Sequence, residues 1–469
     1  MNEITQDKDR LAAIAAAAGG QSEQQPEAET AVAQPVEDAA GTETVQPARK
    51  RAVRKKAEES AQPDVPAKLE WEGPTAAIKG VLKRVARVAN RNASLPLLSC
   101  LLVEWRDGTL YLRATNLDID VREKVPFLGA GNGGAGTIAV PARQLMALID
   151  RAEQEVRISA DLTALRLVVC SAGWKATLSC LCGDDFPPAQ PMIERGLLIS
   201  SRQLAKMMKM TIGATSADET RYVLNGIYME IGSGAEEMLM VGTDGRRLAT
   251  ISAPLPKQDP AGIGAWAGMG AVIVPNPAVA VILGGLSGSD VDPVTVGLII
   301  GERDGKPVVT AMVVRSGFWT CWLKVIEGAY PDYRRVIPEM GADRIKVDMD
   351  EFVDMVGRAE AVSTESVMLR FEGTMVVVSA TDETCGDWTE VREIISPEHQ
   401  LTSGSVQMAI NPDYVAPLYQ TGEGELDLSH AMYAPGPMTW RSAPVLSEGV
   451  NGSYTYVIMP QRRSGGGAE

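Results

Sequence analysis

The sequence predicts an α+β protein of three repeated domains, each with two helices packed on antiparallel sheet. The first observation behind this is a segment grammar that occurs three times. An alternating strand, a turn and a second strand end in a small residue, Thr, and then Asn or Asp. The segments are LSCLLVEWRDGTLYLRATN (Leu98 to Asn116), LNGIYMEIGSGAEEMLMVGTD (Leu224 to Asp244) and VMLRFEGTMVVVSATD (Val367 to Asp382). The second is a landmark at a similar interval after each: VPARQLMALID from Val140, VPNPAVAVIL from Val274 and INPDYVAPL from Ile410. There a strand ends and Pro stands near a helix start, where its missing N–H has no intrahelical partner to lose. The third is an apolar helical stripe before each segment. Three recurrences in one order are the signature of internal repetition.

Taken in chain order, residues 1–68 come first. They are rich in Ala, Gln, Glu and Pro and bury too little apolar surface to offset ordering entropy, so they read as a disordered extension. Within it Arg49, Lys50, Arg51, Arg54, Lys55 and Lys56 form a basic cluster, either an arm for nucleic acid or a partner, or a solvated tail. The first domain is expected over 69–192. It opens with Ile78, Val81, Leu82, Val85 and Val88 at the i, i+3, i+4, i+7 spacing of a buried helix face. The second, over 193–341, repeats this with Leu204, Met207, Met208 and Ile212; the third, over 342–463, with Phe352, Met355, Val356 and Ala359. Strands bounded by Gly- and Asp-containing turns fill the intervals, and 464–469 read as a flexible tail.

Composition removes several function classes. The 469 residues carry 60 Asp and Glu against 45 Lys and Arg, a net charge of −15. No run approaches the ~18 apolar residues of a membrane span, and Leu11 to Ala18 lacks the flanks of a secretion signal. Six cysteines without a CxxC pair suit reduced cytosolic thiols, and Cys180 and Cys182, at strand spacing, share one face. With only His399 and His430, a His-ligated metal site or a His-based triad is a poor fit, and no cofactor is expected. Candidate catalytic carboxylates, Asp184, Asp185 and Asp244, sit in turn contexts where Asp commonly bonds its own backbone. No GxxxxGK[ST] phosphate loop is present. The expectation is a non-catalytic cytoplasmic protein.

Charge on the helices points to its partner. Lys79, Lys83, Arg87 and Arg91 recur every four residues opposite the first apolar stripe, with Arg84 beside them; Arg202, Lys206 and Lys209 do likewise in the second domain. One such ridge is commonly just a solvated face. Two at equivalent positions in an acidic chain suit weak, sequence-independent attraction to phosphates. The third-domain helix breaks the pattern, with Asp350, Glu351, Asp354 and Glu360 around Arg358.

Together with particular strings, these features resemble the bacterial sliding clamp, the β subunit of DNA polymerase III holoenzyme. The strings are NASLPLLSCLLVEWRDGTLYLRATNLDIDV from Asn92, DETRYVLNGIYMEI from Asp218, VGTDGRRLATISAPL from Val241, GAYPDYRRVIP from Gly328 and YTYVIMPQRR from Tyr454. The resemblance runs from about residue 72 to residue 463. It implies a fold of three clamp domains per subunit, two subunits closing head to tail as a homodimeric ring around duplex DNA. The ridge cations, with Arg143, Arg221 and Tyr222, would then face DNA, and the seam would place Trp174, Lys175 and Leu178 against Ala361 and Val362. It further implies a groove for partner peptides resembling Gln-x-x-Leu-Phe, walled by Leu224, Thr243, Gly245, Arg246, Arg247, Leu248, Pro338, Asn411, Tyr414, Val457, Met459, Pro460 and Arg462. The implied partners are the replicative DNA polymerase, the clamp loader and other replication and repair proteins. Departures are Val223 for a second aromatic, Asn92 and Asn276 for basic residues, Arg246 for His, Gln461 for an apolar residue and Arg463 for the terminal Leu. With the long extension, they leave an accessory, plasmid- or phage-encoded clamp as the alternative.

Overall fold

The computed structural model describes residues 68–461, except 91–93, 127–133, 194, 233–235, 259–265, 267–269, 399–400, 402–403, 420 and 432–435. Outside the described residues lie the basic cluster, Arg91, Asn92, Arg462, Arg463 and the tail 464–469. Lys68, counted with the extension in the sequence reading, instead opens the first strand, Lys68–Pro74.

Each domain is built on two four-stranded antiparallel sheets, the first adding a short strand, Leu181–Cys182, beside Gly136–Pro141. In the first, one sheet runs Lys68–Pro74, Glu155–Asp161, Arg166–Ser171, Trp174–Ser179, and the other Gly136–Pro141, Cys100–Arg106, Thr109–Thr115, Ile119–Lys124. The second repeats this order with Leu197–Ser200, Pro293–Arg303, Lys306–Ser316, Trp319–Lys324 and with Ala271–Pro275, Gly226–Ile231, Glu237–Thr243, Arg247–Pro254. The third does so with Arg344–Ile345, Gly424–Asp427, Met438–Ser442, Ser453–Ile458 and with Ser405–Ile410, Val367–Glu372, Met375–Asp382, Gly386–Glu393. Neighbouring domains share sheets: Ile119–Lys124 pairs with Trp319–Lys324, and Arg247–Pro254 with Ser453–Ile458.

Among the described residues, five α-helices cover these sheets: α1 (Thr75–Val85), α2 (Ala142–Asp150), α3 (Ser201–Ile212), α4 (Asn276–Gly285) and α5 (Met349–Glu360). The expected stripes point inward. Ile78, Val81, Leu82, Val85 and Val88 are buried, as are Leu204, Met207 and Met208, and Phe352, Met355, Val356 and Ala359; Ile212 is half-buried. Ser200 and Asp348 cap α3 and α5 by accepting the N–H of Gln203 and Glu351, a contribution of about 1 kcal/mol each.

Two expectations about helices are corrected. α1 stops at Val85, with Ala86 as its cap, so Arg87 lies beyond it and the four-residue ridge is not continuous. In the third domain the second helix is replaced by two 3-10 turns, Pro412–Tyr414 and Ala416–Leu418. Pro412 is harmless at a helix start, but Pro417 five residues on has no N–H to give and would clash with the preceding turn's carbonyl.

The recurrent Thr-Asn/Asp signature is a turn. Asn116 Oδ1 accepts the N–H groups of Asp118 and Ile119 (3.1 and 2.7 Å). Asp244 Oδ1 accepts those of Arg246 and Arg247 (2.8 and 3.0 Å), and Asp382 Oδ1 those of Thr384 and Cys385 (both 2.8 Å). Thr115 and Thr243 donate to the carbonyls of Ile119 and Arg247 (3.0 and 2.7 Å). The turns require a left-handed residue, Leu117 at φ 78° in one and Gly245 at φ 85° in the other.

Candidate peptide groove, basic helix faces and open sheet edges

Where the second and third domains share a sheet, Leu248 lies opposite Val457. With Val241, Tyr333 and Val336 they form an apolar cluster separate from the main core, edged by half-buried Tyr228, Tyr330, Ile337 and Met459. Leu224, Val223 and Ile273 continue it beneath Tyr330, whose ring stacks on Tyr228 at 4.8 Å. Leu224, Thr243 and Leu248 are each 0% exposed, so they are the floor of this place and not walls open to solvent. The accessible rim is Gly245, Arg247, Met459 and Pro460, half-buried, with Arg246 exposed.

Arg247 ties the two domains together. Its Nε donates to Asp244 Oδ2 (3.1 Å), its Nη1 to the Asp413 carbonyl (2.9 Å), and its guanidinium lies 4.6 Å over the Tyr414 ring. Asn411 accepts the Asp413 N–H (2.9 Å), capping a turn. The Met459 N–H donates to the Arg246 carbonyl, and the Gln461 N–H to Ala409. Pro338 is buried and its carbonyl accepts Arg441 Nη2 (2.6 Å), while Tyr333 and Val336 of the same linker fill the cluster and were not in the sequence-derived set. Their i, i+3 spacing after Pro331 was the available signal.

The junction of the first and second domains holds the same positions with opposite chemistry. Thr243 pairs with Leu248 across its turn, and Thr115 with Asp120 across the equivalent one. Val241 corresponds to Arg113. Arg113 Nε donates to both Asp120 oxygens (3.0 Å each), its Nη atoms to the Pro187 and Pro188 carbonyls (2.7 and 2.6 Å), and its guanidinium lies 5.4 Å over Phe186. Arg113 is 2% and Asp120 6% exposed. An ion pair therefore fills the place that is apolar at the second junction.

The basic residues divide into engaged and free. Lys79 pairs with Asp150 (3.1 Å), Arg84 with Glu123 (Nε 2.9 Å) and Arg202 with Asp290 (3.0 Å). Lys206 Nζ donates to the Val445 carbonyl (2.7 Å), and burial lowers its pKa. Arg221 braces the Asp244 turn, with Nε on Asp218 (3.1 Å) and Nη1 on the Asp244 carbonyl (2.8 Å). Lys83, Arg87, Arg143 and Lys209 are exposed and make no ion pair among the described residues; Tyr222 is 57% exposed. Lys83, Arg87 and Arg143 line one cleft of about 910 Å3 between α1 and α2.

Among the described residues, two of the strands at the ends of sheets are fourth strands without an inter-domain partner. At each junction inside the chain, the fourth strand of one sheet pairs with the fourth strand of the next domain's other sheet. By that rule Gly386–Glu393 of the third domain and Trp174–Ser179 of the first remain unpaired on their outer edges. Trp174, Lys175 and Leu178 lie on the latter strand. Ala361 caps α5 and Val362 follows it. The strand Gly386–Glu393, with half-buried Trp388 and exposed Val391, was missed, although the alternation of GDWTEVRE was its signal.

Three two-sheet domains joined edge to edge, with complementary strands left open at the two ends, define a clamp-type chain. Residues 198–332 match the family model for the DNA polymerase III beta subunit, central domain. The chain is 30% identical over 340 residues to the beta sliding clamp of Caulobacter vibrioides, spanning 68% of this chain and 82% of that one. It is 26% identical over 394 residues to the beta sliding clamp of Pseudomonas aeruginosa, spanning 81% and 96%. A DnaN sliding clamp from Bartonella birtlesii, solved bound to griselimycin, superposes with a TM-score of 0.69 at 26% identity, over 84% of this chain and 100% of that one. The chain belongs to the bacterial DNA polymerase III β subunit, or sliding clamp, family.

Proposed function

We propose that this chain, a non-catalytic DNA polymerase processivity clamp by family, works as half of a two-subunit ring that partner proteins grip through the groove at its second junction. The observation that carries the ring is the junction rule. Trp319 and Tyr454, the residues equivalent to Trp174, lie on strands paired to the adjoining domain and are 2% and 1% exposed. Trp174 lies on a strand with no such pairing among the described residues and is half-buried. A second copy docking Gly386–Glu393 on Trp174–Ser179 covers it, and a head-to-tail contact closes into a ring when the rotation permits, leaving neither strand edge unpaired.

A ring holds duplex DNA by topology, so its phosphate contacts need only be weak enough to slide. Lys83, Arg87, Arg143 and Lys209 are the cations free for that role, with Tyr222 beside them; Lys79, Arg84, Arg202, Lys206 and Arg221 are held by protein partners. The groove receives partner segments carrying Leu and Phe side chains, of the replicative polymerase, the clamp loader and repair proteins, in the bacterial cytoplasm at DNA. Two such anchors contribute roughly 1.5–3 kcal/mol each, less ordering costs, which puts affinity near the micromolar range.

The test is the solution mass of the full chain by sedimentation equilibrium. A dimer is expected, shifting to monomer on Trp174→Glu, which sets a charge at the covered position. A parent protein that stays monomeric at micromolar concentration overturns the ring.

A further inference from the structure

The two internal junctions also differ at their rims. Three residues after Thr115 stands Asp118, whose carboxylate holds Lys324 at 2.8 Å. At the second junction the same two positions are Arg246 and Met459. The Arg246 N–H is bound by Asp244 and its carbonyl by the Met459 N–H, so its backbone is fixed beside the apolar cluster. Its side chain is exposed and makes no ion pair among the described residues. Among the described residues, the nearby guanidinium groups already have carboxylates: Arg247 has Asp244, Arg334 has Glu230 and Arg335 has Asp332. The rim of an otherwise acidic chain thus carries an uncompensated positive charge next to the place where apolar anchors dock.

We infer that this groove selects partner segments carrying an acidic side chain directly beside their apolar anchors, and that Arg246 is the residue that reads it. This rests on the groove reading above. The contact lies at the surface, where a single ion pair is worth little. It therefore acts as a discriminator between partners and not as the source of affinity, and salt weakens it.

The experiment uses the full-length protein and fluorescent peptides that share a Gln-x-x-Leu-Phe core. One set carries two extra residues immediately before the core and the other immediately after it, and each set holds a Glu-Glu and a Lys-Lys member that are otherwise identical. The acidic peptide of one set is expected to bind about three- to tenfold more tightly than its basic counterpart at low salt. The ratio should fall toward one near 0.5 M salt, as screening shortens to a few ångströms. Arg246→Glu should invert it. If acidic and basic peptides bind equally well, the inference is wrong and the groove stands. If the preference exists but survives Arg246→Glu, Arg246 is not its source and the assignment fails. If no peptide binds, the groove reading fails and takes this inference with it.

Discussion

Replacing Arg113 by Leu strips the buried Asp120 of the guanidinium that is hydrogen-bonded to it, leaving Arg122 to act on it only through space. The carboxyl is raised above its ordinary value of 3.8, because burial outweighs the hydrogen bond and charge of Arg113. Even paired, this carboxylate is less comfortable than in water. Breaking such a pair from one side typically costs 3–5 kcal/mol, whereas replacing both partners by apolar residues of similar volume is about neutral or stabilising. The protein already contains the apolar solution, Val241 with Leu248. Arg113→Leu should therefore lower the melting temperature of the first two domains by roughly 6–20 °C, and Arg113→Val with Asp120→Leu by only a few degrees or not at all. The carbonyls of Pro187 and Pro188, which lose their donor, belong to half-buried and exposed residues and turn to water. Thermal unfolding followed by circular dichroism reads both. A raised carboxyl pKa contributes stability that is full below the unfolded value and lost as pH rises through the folded one. The stability of the parent relative to the double variant should thus improve as pH falls from neutral toward 3.8. Carboxyls held low elsewhere, Asp218, Asp382 and Glu390, cancel in that difference. A single variant that melts within about 2 °C of the parent, or a double variant no better than the single, refutes the reasoning.

Lys83→Glu with Arg87→Glu and Lys209→Glu should shorten retention on nicked circular DNA, most visibly at low salt, with stability changed by about 0.5 kcal/mol or less per site; unchanged retention counts against these cations facing DNA. Adding Arg84→Glu should instead lower the melting temperature, since it sets two carboxylates together where Arg84 now holds Glu123. Leu248→Asp should unfold the second junction and not merely block binding, because that side chain is fully buried. Met459→Asp, on the half-exposed rim, is the substitution that should abolish peptide binding while the melting temperature holds; tight binding by Met459→Asp would place the groove elsewhere.

The triplication was legible because burial writes itself into sequence at fixed periods. The stripes Ile78 to Val88 and Phe352 to Ala359 each have one buried face, and the Thr-Asn/Asp turns repeat because each closes a hairpin through the same hydrogen bonds. Helix ends were less legible. The charge period through Arg87 and Arg91 continued past the point where α1 stops, since solvated charges carry no information about where backbone hydrogen bonds end. Pro417, inside the expected second helix of the third domain, carries the local signal that this stretch stays a pair of 3-10 turns. The apolar cluster at the second junction was not legible as a whole, because it comes from three distant segments. Tyr333 and Val336 meet Leu248 and Val457 through sheet pairing that no local period encodes. Which cations are free was not legible either. It depends on through-space partners such as Asp150, Glu123 and Asp290.

One repeated edge has been given three chemistries, and that difference divides the labour of the chain. The hairpin that ends at Thr115 meets the next domain with a buried Arg113–Asp120 pair, which also holds the linker carbonyls of Pro187 and Pro188. Geometry of that kind resists rearrangement, because moving either charge exposes the other to a dry environment. The hairpin that ends at Thr243 has Val241 and Leu248 at the same positions, with no directional bond to break, and apolar neighbours rearrange around a guest at far lower cost than ions do. The hairpin that ends at Thr381 meets no neighbouring domain among the described residues, and its strand Gly386–Glu393 has no strand paired to its outer edge there. A chain with three apolar junctions would offer surplus sticky surface, and one with three ionic junctions would have nothing for a partner's Leu and Phe. On the proposed reading, a locked junction, a yielding one and an open one, in that order along the chain, assign the peptide to the second and the second subunit to the third.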